Sequence, residues 1–193
     1  MPFEINKSVF DNFPELESQR LKYRQIILTD SEDLFKIRVN DEVMKFMDSH
    51  KMISVTESVK LIESMGESFK SAMGINWGLI EKFTDQFIGY FGYWRIDAKH
   101  CRAEIGYALC PETWGKGYML EAFRTLIKFG FEKLKLHSIE ANVNPGNISS
   151  IKLLERFGFK REAYFRENYL FNNEFKDSAI YSLLENDLND NKI

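Results

Sequence analysis

Cysteine is scarce in this chain, with Cys101 and Cys110 the two examples among 193 residues. Their spacing fits neither a zinc site nor a redox pair, and two thiols cannot support a disulfide scaffold. A reduced, cytoplasmic protein is therefore the expectation. Histidine occurs three times, and His50, His100 and His137 show no ligand spacing, so no metal is expected. No apolar run reaches the roughly 20 residues that a membrane-spanning helix requires. The first residues, Met-Pro-Phe-Glu-Ile-Asn, lack the basic region and apolar stretch of a signal peptide. Positive charge is not in surplus either. Lys and Arg number 26 against 29 Asp and Glu, a net charge of −3, which gives no electrostatic ground for direct nucleic-acid binding. No repeat, linker or low-complexity tract divides the chain.

What is present is a sizeable apolar core. Hydrophobic residues make up 44% of the chain and 17 are Phe, enough for one domain rich in packed rings. Residues 1–17 carry Phe3, Val9, Phe10 and Phe13 without periodicity and read as an N-terminal arm. Residues 18–188 read as the domain, and 189–193 as a polar tail. Alternation marks a strand at Leu21–Ile27, and Thr29 or Asp30 can cap a helix running to about Val39. Val59, Ile62, Met65 and Phe69 predict a second helix over about Thr56–Ala72. Strands follow at Ile75–Glu81, Phe87–Ile96 and Ala103–Cys110, forming an antiparallel meander. A helix from Gly117 to about Leu134 separates Cys110 from the strand Ser138–Val143, so these two strands should run parallel. A further helix, carrying Ile148, Ile151, Leu154 and Phe157, ends at Gly158 as a left-handed cap. Strands near Phe159–Tyr164 and Phe175–Leu183 complete the pattern. The class is α+β, a mixed and mostly antiparallel sheet of about seven strands with helices on both faces.

The densest chemical signal is the stretch from Ala103 to Ala122. It passes from a strand through Trp114-Gly115-Lys116-Gly117 into a helix opening at Tyr118 and Met119. Gly115 and Gly117 let a ligand approach the main chain closely. The first N–H groups of the helix have no intrahelical partner, and the positive end of its dipole stands behind them. A phosphate or pyrophosphate suits such a junction. Gly-x-x-x-x-Gly-Lys-Ser/Thr is absent, and the third glycine of the dinucleotide fingerprint is missing. A purely structural glycine turn is the competing reading.

Three features stand in order: the strand Ala103–Cys110, the Trp114–Met119 turn, and Asn147-Ile-Ser-Ser-Ile-Lys-Leu-Leu-Glu-Arg-Phe-Gly-Phe159. Together they resemble the GNAT superfamily of acyl-CoA-dependent N-acetyltransferases. The likeness is greatest to its RimJ/RimL type, which acetylates protein N-terminal amines. It runs from about Ser18, where Ser-Gln-Arg-Leu-Lys-Tyr-Arg matches that group's opening strand, to about Leu188. The family pattern Gln/Arg-x-x-Gly-x-Gly/Ala aligns with Trp114, Gly117 and Met119. Trp114 lacks the polar head of Gln or Arg, and Met119 is larger than Gly or Ala.

The resemblance implies acetyl-CoA as co-substrate and a splay between the strands near Leu109–Cys110 and Asn142–Val143. The pantetheine arm would enter there as a pseudo-strand. The thioester carbonyl would meet a backbone N–H near Leu109 or Cys110. Asn147 and Ser150 match the family's Asn-x-x-Ser, with Ser150 a hydrogen-bond donor to the departing thiolate. Glu104 is the candidate general base, against the plainer reading of a solvated strand carboxylate. Tyr107 should face the other way and sit in the core. Cys110 has no neighbouring base to make it a nucleophile. Phe46, Met47, Trp77, Tyr93 and Trp94 are candidates for lining the acceptor pocket, with core packing expected for at least one of the last three.

The expected acceptor is a protein N-terminal α-amine of the ribosomal-protein type, taken by direct attack in a ternary complex. A polyamine, antibiotic or other small amine is the alternative, and a non-catalytic acyl-CoA-binding sensor is the rival from another class. Loops around 40–56 and 165–175 should set specificity. The chain is read as a monomer or homodimer.

Overall fold

The computed structural model describes residues 3–188, so the tail 189–193 lies outside the described residues. The strands are β1 (Leu16–Glu17), β2 (Leu21–Gln25), β3 (Ile75–Glu81), β4 (Gln86–Asp97), β5 (Arg102–Leu109), β6 (Ser138–Val143), β7 (Lys160–Phe171) and β8 (Glu174–Leu184). The helices are α1 (Ser31–Val39), the single turn α2 (Asp41–Met44), α3 (Val55–Lys70), α4 (Tyr118–Glu132) and α5 (Ile148–Arg156). They surround one eight-stranded sheet ordered β1-β2-β3-β4-β5-β6-β8-β7. Every pairing is antiparallel except β5 with β6, as a helical crossover requires.

The expectation of about seven strands falls short by one. The additional strand is β1, which pairs with β2 at Leu16↔Tyr23 and Glu17↔Lys22. Two residues are too few for alternation to register. The second difference is at the C-terminal end, where the expected loop around 165–175 is a long β7–β8 hairpin. Asn172 and Asn173 both have positive φ, at 51° and 60°, the geometry of a tight two-residue hairpin turn. Both strands are largely exposed over this length, so no apolar alternation betrayed them.

The sheet is covered on both faces. Alternate residues of the central strands, among them Trp77, Phe91, Tyr93 and Ile105, pack with Phe123 and Leu126 of α4 and Leu154 of α5. The opposite face carries a smaller cluster in which Ile80, Tyr90 and Ala108 meet Leu34 and Ile37 of α1 and Ile62 of α3. Phe10 and Phe13 of the N-terminal segment pack on Phe69, and the Asn6 amide donates to the carbonyl of Leu134 at 2.9 Å. Asp30 precedes α1, but its carboxylate takes a two-pronged ion pair from Arg24 rather than capping the helix. Gly158, at φ +94°, closes α5 with Phe159 N–H bonded to the Leu154 carbonyl at 3.1 Å, the Schellman arrangement.

Candidate active site

β5 and β6 stay together only briefly. They pair at Arg102↔Ser138, Ala103↔Ile139 and Glu104↔Glu140, and beyond Glu104 the register ends. β6 continues along β8 to Val143, while β5 continues along β4 to Leu109, so a V opens between them. The Cys110 N–H donates to the Ile88 carbonyl at 2.8 Å. Alternation then turns the N–H groups of Tyr107 and Leu109 away from β4 and into the V. This corrects the pair of candidates for the thioester carbonyl. Leu109 keeps a free N–H toward the V, whereas Cys110 has given its own to β4.

The turn after β5 is held by three sets of contacts. Trp114 Nε1 donates to the Leu109 carbonyl at 3.0 Å, so the indole closes the turn and its N–H is not free for a phosphate. Gly115 and Gly117 have φ of +71° and +79°, conformations that a residue with a Cβ adopts at a cost. The N–H groups of Tyr118, Met119 and Leu120 open α4 ahead of its first turn bond, from Glu121 N–H to Gly117 O. Lys116 is exposed and its carbonyl accepts from Arg20 Nη1 at 2.8 Å. Nothing stands within 4 Å of a Cβ built on Gly115, so the cradle is clear for an anion there.

Arg20, Ser18 and Glu121 were missed as functional residues. The Glu121 carboxylate, in the first turn of α4, accepts from Ser18 Oγ at 2.7 Å, Arg20 N–H at 2.6 Å and Arg20 Nε at 2.7 Å. Burial works to raise this carboxyl, but the donors from Ser18 and Arg20 together hold it below the usual carboxylate value. Arg20 also lies over the Tyr118 ring, 4.4 Å from its centroid. The strap ties the β1–β2 turn to the Trp114–Gly117 turn. Its signal was the Ser18-Gln-Arg20 run that carried the family likeness.

Asn147 caps α5, its side chain accepting from the Ser150 N–H at 3.1 Å. Ser150 Oγ shares a hydrogen bond of 2.5 Å with Tyr107 Oη, across the mouth of the V. Tyr107 faces the α4 side as alternation required, edge-on to Phe123 with ring centroids 4.8 Å apart. Burial pushes its hydroxyl up to about 12, against the pull of Ser150, so it remains protonated and able to donate. Asn142 is exposed and falls on the opposite face of β6 from the buried Ala141 and Val143.

Glu104 lies on the face opposite Tyr107, 6% exposed, its Oε2 accepting from Arg95 Nη1 at 3.0 Å. Burial raises its proton affinity, Arg95 opposes the rise, and nearby Glu140 adds to it. A carboxyl raised in this way is a better proton acceptor than a solvated one. Beside it on the same face Gly92 and Gly106 are partners across β4 and β5, with the Asn76 side chain lying over Gly92. A Cβ on Gly106 would meet only Trp94 Nε1, at 4.0 Å.

The acceptor-lining candidates divide. Trp94, 45% exposed, stands on the Glu104 face with Arg95 over its ring. Trp77 and Tyr93 are fully buried on the other face and are core residues. Trp77 Nε1 donates to the Pro14 carbonyl at 2.7 Å and Tyr93 Oη to the Leu126 carbonyl at 2.8 Å. Phe46 abuts the Asn144–Gly146 turn, its ring 3.2 Å from where a Gly146 Cβ would stand. Met47 Sδ accepts from Arg38 Nη1 at 3.0 Å. The segment that carries them is tied to the β7–β8 hairpin through Tyr169 Oη to Asp48 Oδ1 at 2.6 Å and by His50 on Phe171. Cys110 has its thiol pushed up to about 11, chiefly by burial, which disfavours the thiolate. A separate hollow of about 320 Å³, at the β1–β2 edge and lined in part by Glu15, Tyr23 and Asp85, touches none of these groups.

The profile of the family described as acetyltransferase (GNAT) domain matches residues 20–160. The chain is 34% identical over 173 residues to the uncharacterized N-acetyltransferase YoaA of Bacillus subtilis, covering 90% of this chain and 98% of that one. It is 28% identical over 120 residues, 62% of each chain, to the ribosomal protein uS5-alanine N-acetyltransferase of Escherichia coli. A crystal structure of a GNAT-family acetyltransferase from Bacillus anthracis superposes with a TM-score of 0.79 at 26% identity, covering 90% of this chain and 99% of that one.

Proposed function

The chain belongs to the GNAT acetyltransferases and is an acetyl-CoA-dependent N-acetyltransferase; from that premise we propose that its acceptor is the N-terminal α-amine of a protein, such as a ribosomal protein. The observation that carries this reading is the V beyond Glu104, with main-chain donors facing into it and a buried carboxylate at its closed end. The likeness to the enzyme named for the alanine of ribosomal protein uS5 supports the peptide acceptor.

Acetyl-CoA supplies the activated thioester. The residues that would hold it are Gly115 to Met119 through their backbone and Asn147 with Ser150 at the α5 terminus. Glu104 takes a proton from the attacking amine, directly or through one water. An α-amine of pKa about 7.7–8.0 is already roughly a tenth neutral near pH 7, so it needs modest help from such a base. The Leu109 N–H serves the oxygen that gains charge. Ser150, its hydroxyl oriented by Tyr107, donates to the leaving sulfur. The high proton affinity of Cys110, raised by burial and by the carboxylates of Glu112 and Asp33, supports direct transfer over an acyl-enzyme.

Acetyl-CoA turnover measured across peptide N-termini, polyamines and aminoglycosides tests the acceptor. Peptides should turn over fastest. Turnover confined to a small amine would move the acceptor to that class.

A further inference from the structure

The acceptor face has a second charged group for which the reaction itself has no use. Arg38, on α1, reaches toward Tyr90, and Tyr90 shares its face of β4 with Gly92 and Trp94. Its guanidinium has only neutral partners among the described residues. Nη1 donates to Met47 Sδ at 3.0 Å and to Tyr90 Oη at 3.3 Å, and Nη2 donates to Ser49 Oγ at 2.9 Å. Nε is buried and has no partner among the described residues.

Such an arrangement is costly unless something completes it. A guanidinium is charged at every physiological pH and presents five donors, so a partly buried one calls for an anion. Arg24, by contrast, is met by both oxygens of Asp30, and Arg20 and Arg95 have glutamates. The nearby acid Asp48 is turned to Tyr169 instead.

Position indicates what kind of anion would suit Arg38. Tyr90 is opposite Ala108, and Trp94 is opposite Glu104, with the Gly92–Gly106 pair between them. Arg38 and Glu104 therefore stand at two ends of a strip spanning four residues, about 13 Å of strand, in which Gly106 is open and the Asn76 side chain lies over Gly92. An extended peptide advances about 3.3–3.6 Å per residue, so about four residues cover that span.

We propose that Arg38 is a specificity residue of the acceptor site and pairs with a carboxylate carried by the amine that is acetylated. The inference rests on the peptide reading above, in which the carboxylate is an acidic side chain within about the first four residues. A free amine bearing its own carboxylate offers the same chemistry from another source.

The test compares kcat/KM for two peptides identical except for Glu or Gln at the third residue, alongside a small carboxylated amine and its amide. The wild-type enzyme should prefer the acidic member of the pair by about tenfold or more, the scale of a charge-assisted pair. The preference should shrink toward unity in Arg38→Met and Arg38→Gln, with melting curves verifying the fold, and survive in part in Arg38→Lys. Equal use of both peptides by the wild type would overturn the role of Arg38 and leave the peptide reading standing. A preference undiminished in folded Arg38→Met or Arg38→Gln would overturn it as well. An Arg38-dependent preference seen only with the small amine would keep the carboxylate and sink the peptide. The wild-type comparison stands even if a variant fails to fold.

Discussion

Replacing Glu121 with Gln tests whether the strap from the β1–β2 turn holds the Trp114–Gly117 turn, the proposed phosphate cradle. Gln can keep the Oε1 contacts to Ser18 and the Arg20 N–H, but it sets an amide donor against Arg20 Nε. A hydrogen bond to a charged group contributes about 1.5–3 kcal/mol. Because the Arg20 side chain is 39% exposed, water screens the pair and the lower part of that range, about 1.5–2 kcal/mol, applies. For a chain of this length each kcal/mol shifts Tm by about 2–4 °C, so Glu121→Gln should melt about 3–8 °C lower at neutral pH. The loss depends on pH in a definite direction. The folded carboxyl is held below its ordinary value of 4.5, so its stabilisation is complete above that value and is lost as pH falls through the lower folded value. The gap between wild type and variant should therefore be constant from pH 8 to about 5 and close under acid conditions. Freeing Arg20 also frees the Lys116 carbonyl, so the KM for acetyl-CoA should rise more than kcat falls. Denaturant melts over this pH range and initial-rate kinetics supply both readouts. An unchanged Tm at neutral pH, or a kcat loss with KM intact, would refute the strap.

Glu104→Gln should lower kcat/KM at least about tenfold near neutral pH, with the deficit shrinking as pH rises and the amine deprotonates unaided; a pH-independent deficit would assign Glu104 to binding or structure. Gly117→Val should abolish acetyl-CoA binding by calorimetry without unfolding the chain. A Cβ there has room, with Arg20 Nη2 3.5 Å away, so the disruption would come from the positive φ shifting the turn, and unchanged affinity would discard the cradle. Ser150→Ala should lower kcat more than it raises KM, and Tyr107→Phe should shift the same constant by less, since it only orients the serine; equal effects on KM alone would recast both as binding residues. Cys110→Ser should retain most activity, and an acetylated Cys110 trapped within one turnover would overturn direct transfer.

Sequence and structure part company for identifiable reasons. The central strands, the β5–α4 junction and the α5 cap were legible because each has a strong local signature: alternation, a glycine pair before an apolar stripe, and a Gly-Phe stop. β1 and the outer half of the β7–β8 hairpin were not, since their stability comes from a neighbouring strand rather than from a pattern of their own. Among site residues, alternation separated Glu104 from Tyr107 correctly. It also contained the answer for Trp77 and Tyr93, because both fall on the α4 side with Phe91 and Ile105. Their aromatic chemistry suggested a pocket, while their phase in the strand assigned them to the core. Glu121 and Arg38 were out of reach, and Arg20 was visible only as part of the Ser18-Gln-Arg20 run that carried the family likeness. Arg20 and Glu121 are 101 residues apart and acquire meaning only on contact. Arg38 becomes notable only once the nearby acid, Asp48, is seen to be turned to Tyr169.

Among the described residues, three residue pairs join β5 to β6, with His137 N–H bonded to the Cys101 carbonyl beside them, as a short backbone seam between two blocks of sheet, β1 to β5 and the β6–β8–β7 group. Side-chain packing against α4 and α5, together with the Tyr169–Asp48 and His50–Phe171 contacts, adds to the joint. A coenzyme arm bonded along β5, as proposed, would act as mortar in that seam, so occupancy should matter most to the relative motion of the blocks. Amide exchange at Tyr107 and Leu109 should slow on binding far more than at paired positions such as Ala108, and the two blocks should unfold less independently when loaded. The chain would then be stiffest when charged for transfer and loosest just after CoA leaves.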